Sequence, residues 1–284
     1  MASSTPISKT GLNDDNVIFA ANESEVQRLD AQHTVIFSAM PRLVLAPIDL
    51  AKGGYRVLDQ ATGSGIWLRD VRRADGGALN TWIGTDIEDG YFPKEKPEDT
   101  SYHHQSMTEP WPPEWKESFD LVHSRMALPG VGLSSLEDAV VNLVGLVKPG
   151  GWIQLVEIQW QDWDAGPVFT EFRQCMRQVV STVTNGQGVD MMEGLAALFE
   201  KLGLTGVQHA VIAVPVGAKA KEDVRELSLQ SMFATASFVT VTREKMGLVR
   251  FGEDVEPLGA RLVDELRERG GSYNVFALWA QKPV

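Results

Sequence analysis

The chain has 284 residues, 43% hydrophobic and 23% charged, which are proportions of a globular protein long enough to bury a sizeable core. Its net charge of −12 argues against non-specific nucleic-acid binding and against an anionic membrane surface, and no basic cluster restores either. A single cysteine, Cys175, excludes an intrachain disulfide, and no window reaches the ~18 apolar residues of a membrane span.

Residues 1–16 are polar and lack the apolar stretch of a signal peptide, which predicts a flexible N-terminus and a cytoplasmic chain, with the nucleus as the open alternative. Residues 17–51 read as helix, because Val26, Leu29, His33, Ile36, Phe37 and Met40 recur at spacings of three and four; Pro41 and Pro47 punctuate it. A strand over 55–59 ends in Asp59. The small residues Ala61, Thr62, Gly63, Ser64 and Gly65 then lead into a helix over 65–74. Gly63 and Gly65 permit a tight turn and a close backbone approach to a ligand, with bare N–H groups at the helix start. A second strand, 80–86, ends in Asp86.

Residues 87–99 form a loop, and a short third strand lies near Tyr102–Gln105, before a loop rich in proline and tryptophan. A strand over 118–123, a helix over 135–147 and a strand over 152–158 follow, and Ser134 or Ser135 caps that helix. Helices over 166–184 and 188–203 are split by Asn185–Gly188. Residues 206–216 read as a strand, 219–269 as largely helical, and 272–281 as the last strand. The alternation implies an α/β fold with a doubly wound, Rossmann-like parallel sheet in one domain spanning 17–284. Ligands of such sheets bind outside the carboxyl ends of the strands, where Asp59, Asp86, Ser106 and His123 all fall.

The ligand can be narrowed from the first motif. A dinucleotide site carries a third glycine three residues after the second, and Leu68 stands there instead. Asp59 at the strand end attracts a cation, and Asp86, 21 residues after Gly65, falls where an acid accepts ribose hydroxyls. A nucleoside bearing an amino acid with an ammonium group fits both, which favours S-adenosylmethionine.

With these residues in view, the chain resembles the class I S-adenosylmethionine-dependent methyltransferases, in the fungal secondary-metabolite group related to the LaeA regulator. The resemblance rests on VLDQATGSGIW (57–67), FDLVHSR (119–125), LVKPGGW (146–152) and EVQRLDAQH (25–33), and covers roughly residues 17–160. It implies that the N-terminal helical segment, 17–51, is a lid over the cofactor. It also implies S-adenosylhomocysteine as the product and no required metal. Arg28 and Gln32, one turn apart, are then placed to hold the cofactor's carboxylate, unless Arg28 merely pairs with Glu25 or Asp30. Ser106 and Met107 take the place of an adenine-contacting pair, although many relatives carry an acid where Ser106 stands. Asp59, Ala61, Gly63, Gly65 and Asp86 form the remaining cofactor contacts. His123, Ser124 and Arg125 lie beside the methyl donor, and His123 is either a base or a buried, hydrogen-bonded histidine.

Trp160, Trp163, Met191, Phe233 and Phe238 are the substrate-binding candidates. The residues at 219–269 read as an inserted helical cover for the substrate, or as ordinary packing on the sheet. The expected partner is a small molecule, with no nucleic acid or membrane involved and a monomer favoured. A thiol is partly ionised near neutrality without a strong base, whereas a hydroxyl needs one. No metal cluster is evident, so a sulfur acceptor is expected, most simply a dithiol such as reduced gliotoxin. The alternatives are an O- or N-methyltransferase of another secondary metabolite and a non-catalytic S-adenosylmethionine-binding regulator.

Overall fold

A computed structural model describes residues 22–248 and 257–284. The polar N-terminus expected to be flexible, the first residues of the expected lid and part of the helical insertion lie outside the described residues. Seven strands form one mixed sheet: β1 (Arg56–Gln60), β2 (Thr81–Asp86), β3 (Thr100–His104), β4 (Phe119–Arg125), β5 (Val147–Asp164), β6 (Thr205–Val216) and β7 (Gly271–Gln281). Their order is β3-β2-β1-β4-β5-β7-β6; β1 to β5 run parallel, while β7 pairs antiparallel with both β5 and β6. Parallel strands buried on both faces need helices on both sides. On one face α3 (Leu136–Leu146) and α5 (Met192–Lys201) pack Val140, Leu143 and Phe199 against Val122, Leu155 and Phe276. On the other lie α1 (Glu23–Ala39), α2 (Ile66–Ala74), α4 (Pro167–Val183), α6 (Arg225–Lys245) and α7 (Leu258–Glu268).

The helix expected to continue to residue 51 ends at Ala39. Pro41 follows, and Gln154 of β5 supplies the next backbone partners. Its Oε1 accepts the N–H groups of Leu45 and Ala46 at 2.6 and 3.1 Å, and its Nε2 donates to the Leu43 carbonyl at 2.9 Å. Ser135, rather than Ser134, caps α3 by accepting the Asp138 N–H at 3.1 Å. The N-terminus of α4 is capped from far along the chain: Glu265 of α7 accepts the N–H groups of Val168 and Phe169, both at 2.9 Å. β5 runs to Asp164, six residues beyond its expected end. The parallel pairing with β4 ends at Val156, so Glu157 and Ile158 already pair with β7 alone, and the extension beyond them, paired at Gln159 and Asp164, carries Trp160.

Candidate active site

A cavity of about 260 Å³ opens outside the carboxyl ends of β1, β2, β4 and β5. Its first wall is the β1–α2 loop. Ala61 and Gly63 both have positive φ, 54° in each case, and Gly65 (φ 72°) starts α2 in the left-handed region. Gly65 is needed for a second reason: a Cβ there would collide with the Tyr102 hydroxyl. The loop is latched to the acid at the end of β2, because the Gly63 N–H donates to Asp86 Oδ2 at 2.8 Å. Asp86 Oδ1 accepts the Glu88 N–H at 3.0 Å. Burial raises the Asp86 pKa, opposed by those N–H donors. Each carboxylate oxygen keeps a lone pair for a further donor, as a ribose diol requires.

Asp59 is buried with both oxygens engaged. Oδ1 takes a hydrogen bond from His123 Nδ1 at 2.7 Å, and Oδ2 takes one from the Thr62 hydroxyl at 2.6 Å. His123 is fully buried, stacked on Trp67 at 3.7 Å, and forms no part of the cavity wall. Burial holds its pKa down against the pull of Asp59, so a neutral imidazole orients Asp59. The geometry therefore gives His123 the buried, hydrogen-bonded role and not that of a base touching substrate. Ser124 is buried as well: its hydroxyl donates to Gln60 Oε1 at 2.7 Å, and it too stays out of the wall.

Helix α1 closes over the loop. Arg28 and Gln32 both line the cavity, but Arg28 is paired bidentately with Glu25, at 2.8 and 2.6 Å. The helix is pinned by Asp30 on the Ser64 hydroxyl and by His33 on Asp70 at 3.0 Å. Burial and nearby cations hold His33 neutral, with a pKa of about 2, so its contact with Asp70 is a plain hydrogen bond. Ser106 and Met107 line the cavity; the Ser106 hydroxyl is tied to the Thr108 N–H at 3.0 Å.

The opposite wall is apolar and comes from α4 and α6: Met176, Val179 and Val180 face Thr235, Phe238 and Val239. Trp160 and Met191 complete it. Trp163 and Phe233, expected here, are elsewhere. Trp163 is drawn under the β5 extension, where it stacks on Trp160 at 6.0 Å and packs on Phe169 and Tyr273. Phe233 is 47% exposed and lies against Gly259 of α7. Five residues turn a helix by roughly 140° net, so Phe233 and Phe238 cannot share a face.

Two charged groups stand where the walls meet. Arg125, at the end of β4, makes no ion pair among the described residues; its Nη1 is sealed without a hydrogen-bond partner, and burial lowers its pKa. Glu157, 2% exposed, gives Oε1 to the N–H groups of Ala127 and Leu128, both at 2.8 Å. Sequence reading missed Glu157, although an acid in the apolar run Leu155–Ile158, near a strand's carboxyl end, is the signal that marked Asp59 and Asp86. Among the described residues no cluster of His, Cys, Asp or Glu is arranged to hold a metal, and no helix is long and apolar enough to cross a membrane.

No family model matches the chain. It is 31% identical over 264 residues to methyltransferase psoC of Aspergillus fumigatus, covering 92% of this chain and 95% of that protein. It is 30% identical over 270 residues to N-methyltransferase gliN of the same fungus, covering 92% and 94%. It is 36% identical over 211 residues to N-methyltransferase sirN of Leptosphaeria maculans, covering 72% of each. Among solved structures, a Haloferax volcanii methyltransferase bound to the activator Trm112 matches with TM-score 0.55 at 16% identity, over 92% of this chain and 93% of that one. Phosphoethanolamine N-methyltransferase 2 of Haemonchus contortus, in complex with phosphomonomethylethanolamine and S-adenosylhomocysteine, matches with TM-score 0.51 at 14% identity, over 91% of this chain and 52% of that one.

Proposed function

The chain belongs to the S-adenosylmethionine-dependent methyltransferases of fungal secondary metabolism, and from that premise we propose that it methylates a nitrogen of a small, largely apolar metabolite. One observation carries the reading: a single cavity joins the glycine loop and Asp86 to an apolar chamber walled by α4 and α6. Bound there, S-adenosylmethionine would supply an electrophilic methyl group; the protein's work is alignment and exclusion of water. Asp86 is the ribose ligand. Because Glu25 already neutralises Arg28, Arg125 is the cation for the cofactor's carboxylate; a half-buried guanidinium with one nitrogen sealed and no anion beside it among the described residues is completed when a ligand provides one.

The expected sulfur acceptor rests on the want of a metal and of an evident base, and on the resemblance. Glu157 removes that asymmetry, and the relatives gliN and sirN are named N-methyltransferases. The test is incubation of the purified chain with S-adenosylmethionine and N-methylbenzylamine, a lactam, reduced gliotoxin or phenol, with products followed by mass. Methyl transfer to nitrogen is expected. Transfer to gliotoxin sulfur alone would return the acceptor to a thiol. No transfer to any probe, with cofactor binding intact by calorimetry, would favour a regulator that binds the cofactor without turnover.

A further inference from the structure

Glu157 sits in the cavity wall with Met126, Ala127, Ile158 and Trp160. Oε1 is anchored by the backbone that turns away from the end of β4, which fixes the plane of the carboxylate. Among the described residues no donor holds Oε2, which leaves that oxygen for whatever enters the cavity. The surroundings are apolar: Phe276 pairs with Glu157 across the sheet, and Leu155 precedes it on the same face. Burial raises the pKa to about 7, the two N–H donors pull against it, and no charged side chain contributes. The other titratable groups of the wall are Arg125 on β4, Asp59 and Asp86 at the ends of β1 and β2, Glu88 and Tyr91 just beyond, and Glu25 and Arg28 on α1. An acid able to take or release a proton near neutrality, with one oxygen fixed and the other open to the ligand, is built as a general base.

We infer that Glu157 receives the acceptor's proton during methyl transfer, and that the substrate class is an amine whose nitrogen still bears hydrogen. The inference rests on the methyltransferase reading. The bound ammonium gives one proton to Oε2, which frees the nitrogen lone pair, and that pair forms the N–CH3 bond. The S–CH3 bond breaks with its electron pair passing to sulfur, which loses its positive charge. The methylated product leaves as its ammonium, and the Glu157 carboxyl returns its proton to water. A thiolate would instead bring a second anion against the carboxylate in an apolar wall, where like charges repel strongly.

The test compares wild type with Glu157→Gln, whose amide oxygen can still accept the Ala127 and Leu128 N–H groups. With N-methylbenzylamine, E157Q should lower kcat by about 100-fold or more. It should also abolish the rise of kcat/KM up to about pH 7, with S-adenosylhomocysteine affinity unchanged. E157D, which keeps the acid, should retain part of the activity and the pH limb, and serves where E157Q folds poorly. A kcat within roughly threefold of wild type and an unaltered pH limb would overturn the proposal. An infrared titration of the S-adenosylhomocysteine complex separates this outcome from failure of the methyltransferase reading. The carboxyl band lost in E157Q should titrate near 7 in wild type. N-methylbenzylamine should lower its midpoint, while propylbenzene, its hydrocarbon isostere, should not. A midpoint indifferent to the amine defeats the role of Glu157 whether or not any probe is turned over, whereas failure of the methyltransferase reading appears as no turnover of any probe.

Discussion

The two sides of the cavity satisfy their polar groups in different ways. On the cofactor side the partners are internal: Asp86 holds the Gly63 and Glu88 N–H groups, Asp59 holds Thr62 and His123, and Glu25 holds Arg28. On the acceptor side the wall is Met, Val, Phe and Trp, and its charged member, Glu157, is held through one oxygen only. The first arrangement has its polar groups partnered before any ligand arrives and suits one invariant ligand. The second leaves hydrogen-bonding capacity for the ligand to complete, so its specificity is set by what binds. The sharpest test of the first half is Asp86→Ala. It removes the proposed ribose acceptor and the latch on Gly63 together. The expected loss is on the order of 100-fold in S-adenosylhomocysteine affinity, about 3 kcal/mol. Unchanged calorimetric affinity would take Asp86 out of the site.

The acceptor side can be probed without any substrate, through pH and stability. In the unfolded chain Glu157 loses its proton near 4.5, and in the folded protein near 7. Between those values the folded state binds more protons, so stability contributed at low pH is lost as pH rises through the window, and the curve is flat above it. The full window corresponds to about 3 kcal/mol as an upper bound. His33 and His123 slope the other way, since both are held neutral in the fold and lose stability as pH falls below the ordinary histidine range. The decisive quantity is therefore wild type minus E157Q, measured by urea unfolding. It should fall between pH 5 and pH 8. A flat difference would mean that Glu157 is not desolvated by its apolar neighbours.

Arg125 sits at the seam between the two halves, and its assignment can be broken with cofactor fragments. Arg125→Met should weaken S-adenosylhomocysteine by about tenfold, the scale of one charge-assisted contact, and leave 5′-methylthioadenosine unaffected, because that fragment lacks the carboxylate. Equal weakening of both ligands would assign Arg125 to the shape of the loop. No weakening of either would move its anion to the acceptor.

The cofactor half was legible in the sequence because its logic is local. A strand end, a glycine turn and an acid fall within a few residues, and a period of two then three to four marks each element. The register Asp59↔His123 and Gln60↔Ser124 was not legible in the same way. Periodicity says that His123 and Ser124 point to opposite faces of β4, but both faces are covered here, by Trp67 and by Gln60's side of the sheet. Only Arg125, one residue further, reaches the cavity. The acceptor half depends on long-range partners. Glu265 caps α4 from about 97 residues away, Gln154 replaces helix with irregular chain around Leu45, and pairing with β7 prolongs β5 past Ile158. None of these leaves a local signature, which is why Trp163 reads as a pocket residue in the sequence; Glu157 does carry a local signal, an acid near the carboxyl end of the expected strand 152–158.

The smallest expected effects lie within α6, and they ask whether that helix covers the substrate or only packs on the sheet. Phe238 is in the cavity wall and Phe233 is half-exposed on another face, so the pair forms an internal control. Phe238→Ala should raise KM for an apolar acceptor several-fold, about 1 to 2 kcal/mol of lost contact, with cofactor affinity unchanged. Phe233→Ala should change KM by less than twofold, since a side chain already facing water loses little on truncation. If both raise KM equally, α6 is acting through its general stability, and melting temperatures should then fall in parallel. If only F238A raises it, and does so more for a bulky N-alkyl amine than for a small one, the helix is measuring the size of the acceptor. The apolar half then sets selectivity while the polar half holds the methyl donor constant.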